Sequence, residues 1–103
     1  MAHFLVEYRE LGNPAEREAK RPEHLAYRKG LGAAMPLAGP LLDEDERPIG
    51  SIVILEAEDM EAAEAMAASD PYVTSGVLAL VSVRRYRIAG MKPPANAASP
   101  GNP

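Results

Sequence analysis

The sequence contains no cysteine, no tryptophan, one phenylalanine and two histidines. Without thiols, disulfide staples, thiolate chemistry and Cys-ligated zinc or iron–sulfur centres are excluded. The histidines, His3 and His24, lie far apart, so no metal site is expected, and with no cofactor motif no cofactor is expected either. No stretch approaches the ~20 consecutive apolar residues of a membrane-spanning helix. The N-terminal apolar run is short and lacks the charged lead-in and cleavage pattern of a signal peptide. A cytoplasmic protein with no membrane partner is the expectation. Basic charge is also scarce: 11 Lys and Arg stand against 15 Asp and Glu, a formal net charge of -4, and the pI is near 5.1. A nucleic-acid surface needs clustered Lys and Arg, so nucleic acid is not an expected partner. The one basic cluster, Arg84, Arg85 and Arg87, reads as the end or edge of a strand.

What is present suits one small domain of 103 residues. "HFLVEY" (3–8) reads as a first strand. "GNPAEREAK" (12–20) opens a helix, with Asn13 able to cap and Pro14 suited to the first helical position. Pro22 interrupts that pattern, because its ring crowds the carbonyl four residues back. The reading is a short helix, a kink near Arg21-Pro22, and a main helix over 22–34. Leu25, Arg28, Leu31 and Gly32 recur at helical spacing, so its apolar stripe is narrow. "PLAGPLL" (36–42) is a short strand whose Pro40 belongs on an edge or at a bulge. "DEDERPIG" (43–50) is a charged turn and "SIVILEA" (51–57) the clearest strand. Asp59 caps a helix over 60–69, where Met60 and Met66 read as core. "VLALVSVRRYRI" (77–88) is the last strand. From residue 90 the chain turns to Pro, Ala, Asn, Gly and Ser, a composition that predicts a disordered tail over 90–103 after a domain spanning 1–89.

The order β-α-β-β-α-β predicts a ferredoxin-like α+β fold, a four-stranded antiparallel sheet with two helices on one face. Residues of both parities are apolar in the third and fourth strands: Ile52 and Ile54 against Val53 and Leu55, and Val77, Ala79, Val81 and Val83 against Leu78 and Leu80. Two helices cover one face only, so the other is expected to meet a second copy in a homodimer.

Two polar positions invite a chemical reading. His24 falls in the first turn of the expected main helix, where the helix dipole disfavours a protonated imidazole, and a neutral histidine can act as general base or acid. Asp70, after the second helix, could orient that ring and stabilise the imidazolium if the fold brings the two together. The plain alternatives are a helix-start residue and a helix-end turn residue.

"RPEHLAYRKGL" (21–31), "AGPLL" (38–42), "GSIVILEAED" (50–59) and "DPYVTSGVLALVSVRRY" (70–86), in this order, resemble the YciI-like (YCII-related) proteins of the dimeric α+β barrel superfamily, over about residues 3–88. The resemblance implies a ferredoxin-like fold, a face-to-face dimer and a pocket with a His–Asp pair falling on His24 and Asp70. It carries over less firmly to substrate-binding roles: Arg21 for an anionic group, Gly39 and Pro40 for close backbone approach, Ser51 for a hydroxyl, Tyr72 as a pocket wall or phenol donor. Each also has a plain reading as a surface, bulge, strand-start or packing residue. Gly76 suits the turn into the last strand, and His3 reads as structurally ordinary. Where many relatives carry an aromatic or polar residue after "SG", this chain has "VLAL" (77–80), which points to a more apolar pocket.

The family includes a dehydrochlorinase of chlorinated hydroxyquinols, so the resemblance implies a cofactor-independent lyase or isomerase that moves a proton on a small aromatic or lactone-type substrate. The alternatives are a non-catalytic dimer that binds a small ligand or serves as an accessory subunit, and a dimeric scaffold.

Overall fold

The computed structural model describes residues 1–92. Its elements are β1 (Ala2–Glu10), α1 (Pro14–Leu31), a 3-10 turn (Gly32–Ala34), β2 (Leu37–Leu42), β3 (Pro48–Ala57), α2 (Met60–Ala68), the one-turn α3 (Pro71–Thr74) and β4 (Leu78–Tyr86). All strand pairs are antiparallel, in the order β2-β3-β1-β4. This is the ferredoxin-like arrangement that the element order predicts. The expected tail falls mostly outside the described residues, and residues 90–92 form no helix or strand.

Strand alternation sets the layers. Phe4, Val6 and Tyr8 of β1 stand opposite Leu55, Val53 and Ser51 of β3, and all six are buried. Leu78, Leu80 and Val83 of β4 join them, with Ala63, Ala67, Met60 and Met66 of α2 packed above. Burying each large aliphatic or aromatic side chain of this set stabilises the fold by roughly 1.5–3 kcal/mol. Asp59 accepts the Ala62 amide at 2.8 Å and starts α2 as expected. Pro40 lies on the edge strand β2, where its missing N–H costs no central ladder bond. The turn between β2 and β3 is tied by Asp43, whose carboxylate accepts the amides of Asp45 and Arg47.

Three local readings change. First, α1 is continuous from Pro14 to Leu31 with Pro22 inside it, so there is no break at Arg21-Pro22 and His24 lies roughly three turns from the helix start. At that distance His24 is beyond the reach of the dipole at the helix N-terminus, contrary to the expectation for a helix-start residue. The helix survives its proline because the buried residues after it, His24 and Arg28, anchor that half to the body. Second, Asn13 makes no side-chain cap, and Pro14 alone marks the start. Third, β4 does not alternate cleanly. The register slips between Glu7 and Tyr8, which face Ser82 and Leu80, leaving Val81 as an extra residue. The uncovered face of β4 therefore carries Ala79, Val81, Ser82, Arg84 and Tyr86, so polar side chains enter it beside the half-exposed Val81 and Tyr86. That face also carries Leu5, Ile52, Leu37 and Leu41, with Ile54 among them buried by its neighbours, and is crossed by the ion pairs His3–Glu56 at 3.3 Å and Arg84–Glu7 at 3.7 Å.

Candidate active site

α1 buries only His24 and Arg28 on its inner side, both polar. A helix face repeats at three to four residues, and Arg17, Arg21, His24 and Arg28 fall on one stripe of α1. All four line a cavity of about 170 Å³ between the helix and the sheet, closed by Pro40, Pro48, Gly50, Ser51, Tyr72 and Leu78.

Asp70 is the hub. It has no exposed surface. As the residue that caps α3, it accepts the Tyr72 amide on Oδ1 at 2.9 Å. The His24 ring meets it through Nδ1, 2.8 Å from Oδ1 and 3.0 Å from Oδ2, and Arg28 donates Nε to Oδ2 at 2.7 Å. Burial by itself pushes the carboxyl up. The hydrogen bond to His24, the Tyr72 amide and the Arg28 charge and hydrogen bond together outweigh that and hold it below the usual carboxylate value. An ionised Asp70 can only accept, so the neutral His24 ring holds its proton on Nδ1 and its lone pair on Nε2.

Tyr72 completes the wall. Its ring stacks on His24 with centroids 3.8 Å apart and planes 8° from parallel. Arg17 lies over the same ring at 4.9 Å and pairs with Glu10. Tyr8 supports the floor from the core, donating its hydroxyl to the Ala67 carbonyl at 3.0 Å with the Arg28 guanidinium over its ring at 5.4 Å. Burial drives the Tyr8 phenol well above its ordinary value, so it stays protonated and is structural. Tyr27 donates to the Met66 carbonyl at 2.6 Å and ties α1 to α2.

Of the residues expected to form a site, the structure brings together His24, Asp70, Arg21, Pro40, Ser51 and Tyr72. Gly39 is the exception. It is not part of the cavity wall, a Cβ there would meet open space, and its carbonyl accepts the Ser51 hydroxyl at 3.3 Å. The glycine that close approach requires is Gly50, where a Cβ would stand 2.4 Å from the Tyr8 carbonyl oxygen. Of the "VLAL" stretch only Leu78 reaches the cavity, whose wall is more cationic than that stretch predicts. Arg17 and Arg28 carry no mark of a site residue in the sequence taken alone. Their spacing from Arg21 and His24 is the signal that finds them once α1 is continuous. Among the described residues no cluster of His, Cys, Asp and Glu suits a metal ion, and no helix is long and apolar enough to cross a membrane.

The chain matches the YCII-related domain over residues 1–87. An uncharacterized protein of Haemophilus influenzae is 37% identical over 94 residues, covering 82% of this chain and 96% of that one. Protein YciI of Escherichia coli O6:H1 is 39% identical over 80 residues, covering 70% of this chain and 82% of that one. Among solved structures, the 5-chloro-2-hydroxyhydroquinone dehydrochlorinase TftG of Burkholderia phenoliruptrix AC1100, in complex with 2,5-dihydroxybenzoquinone, superposes with a TM-score of 0.69 at 27% identity, covering 84% of this chain and 94% of that chain. Sequence and fold agree: the chain belongs to the YCII-related domain family.

Proposed function

We propose that the protein is a cofactor-independent lyase or isomerase in which His24 moves a proton on a small aromatic or lactone-type substrate. The observation that carries this is the buried His24–Asp70 pair, with His24 on the wall of a cavity and Asp70 behind it. With Nδ1–H donated to an ionised Asp70, Nε2 is the basic nitrogen. It takes a proton from substrate carbon. The electron pair left behind forms a new double bond and either expels a leaving group or is reprotonated at another atom. Asp70 stabilises the imidazolium that forms, as the acid of a triad does, and the stacked Tyr72 face offers that cation a π surface. The likeness to a dehydrochlorinase, a lyase, supports the elimination branch.

The site is proposed to work in a homodimer joined through the uncovered sheet face, where Leu37 and Leu41 stay exposed in the single chain. The test is a turnover screen against chlorinated hydroxyquinols, quinones and muconolactones. On any substrate found, His24→Ala should lose at least 100-fold in kcat, in line with the ~10²–10⁴ that a general base contributes, while circular dichroism and sedimentation stay unchanged. Full turnover by His24→Ala would leave the second reading, a non-catalytic ligand-binding dimer or accessory subunit.

A further inference from the structure

We propose that the ligand of this pocket is a small anion of single-ring size and that Arg28 Nη2 is the donor that receives its negative oxygen. This deepens the proton-transfer reading, on which it rests for the location of the site.

Charge comes first. Among the described residues, the cavity wall holds three guanidinium groups, Arg17, Arg21 and Arg28, and no carboxylate. Arg17 is offset by Glu10, and Arg28 by Asp70 behind the wall. Arg21, on the exposed side of the stripe, has no ion-pair partner among the described residues, so one cation remains uncompensated. The proton that His24 takes comes from the substrate, so that step leaves the net charge of the pocket unchanged. The uncompensated Arg21 is therefore offset only by a ligand that arrives with a negative charge.

Donor geometry comes second. Arg28 is 4% exposed. Its Nε is spent on Asp70, and among the described residues its Nη1 reaches only the Met35 sulfur at 4.0 Å. Nη2 is buried with no acceptor among the described residues. A buried charged donor without an acceptor carries its full desolvation penalty, and the acceptor that best satisfies a guanidinium N–H is a carboxylate or an ionised enol or phenol oxygen. Arg28 touches both the ligand and Asp70, so charge on the ligand oxygen is sensed by the carboxylate that serves His24.

Size comes third. At about 170 Å³ the cavity slightly exceeds the ~150 Å³ that holds benzene in an engineered core. Pro40, Pro48 and Leu78 give the ring apolar edges.

The probe pair is benzoate and its neutral near-isostere benzamide, titrated into the full chain at low ionic strength and followed in amide ¹⁵N–¹H spectra. Benzoate is expected to shift the amides of Gly50, Ser51 and Tyr72, with a Kd at least tenfold below that of benzamide and weakening as salt is added. Arg21→Gln should weaken benzoate about three- to tenfold and leave benzamide unchanged. Arg28→Lys keeps the charge and loses the fork, and should weaken benzoate at least tenfold. If that variant does not fold, the wild-type pair and Arg21→Gln decide. Equal binding of the two probes, or benzoate shifts that map away from the cavity, overturns the proposal. Binding is read without turnover, so the two readings fail separately. A protein that binds benzoate here but turns nothing over sinks only the proton-transfer reading. One that turns over a neutral substrate through His24 and ignores benzoate sinks only this one.

Discussion

Replacing Asp70 by Asn removes one charge and no volume, and the structure makes that change expensive. Both carboxylate oxygens accept: Oδ1 takes the Tyr72 amide and the His24 Nδ1–H, and Oδ2 takes Arg28 Nε. An amide turned either way sets its NH₂ against a donor. It also leaves the Arg28 guanidinium buried without its counter-charge. Breaking one side of a buried pair costs about 3–5 kcal/mol, a large part of the ~5–15 kcal/mol of a whole domain. In urea, with a slope of about 1–3 kcal/mol per molar, the midpoint should fall by at least 1 M at fixed chain concentration. The pH dependence gives a second readout. The folded carboxyl lies below its ordinary value of 3.8. Its contribution is therefore complete above that value and is lost as pH falls through the lower folded value. The wild type should lose stability in that acid window, and Asp70→Asn should lose correspondingly less there. A midpoint within the error of wild type at pH 7, or an unchanged acid limb in the variant, would refute the account of Asp70 as the ionised hub.

Gly50→Ala should destabilise by roughly 1–3 kcal/mol, the usual cost of overpacking, because its Cβ meets the Tyr8 carbonyl at 2.4 Å, whereas Gly39→Ala, facing open space, should be near neutral. Thermal melts of the two variants check the contrast, and equal melting temperatures would contradict it. Pro22→Ala restores an N–H in the middle of α1 and should raise the melting temperature by several degrees, given the ~3 kcal/mol a proline costs in a helix interior. A lower melting temperature would mean that the proline supports the helix. Sedimentation of the wild type should give twice the 11.0 kDa chain mass, and Leu37→Asp on the uncovered sheet face should shift it toward monomer; a stable, folded wild-type monomer would refute the proposed assembly.

The fold was legible because its signals are local and agree. The element order, the Asp59 cap and the Pro40 edge position each follow from a few neighbouring residues, and each holds in the structure, while alternation holds in β1 and fails in β4. What was hidden depends on contacts between distant segments. Pro22 looks like a break by its own chemistry, and only the docking of His24 and Arg28 on Asp70, 46 and 42 residues away, shows why the helix continues. The extra residue at Val81 is invisible until β1 and β4 are paired. Gly39 and Gly50 look alike in the sequence, and the register of β1 on β3 alone singles out Gly50.

The site was half legible for a related reason. His24 and Asp70 stand out by residue type and by the family resemblance. Arg17 and Arg28 do not, because the apolar stripe that would orient α1 is thin and gives no inner face on which to place them. The thinness is itself informative. A helix normally docks through an apolar face, yet here the buried residues are a histidine and an arginine, with apolar packing left to Leu31 at the far end. Polar groups at such positions are tolerated only when a partner satisfies them, and one buried carboxylate serves both. A helix tied through charge to the cap of α3, rather than through oil to the sheet beneath it, leaves a cavity in place of a packed layer. The weakness of the apolar stripe, rather than any one motif, is the sequence feature that marks where the pocket lies.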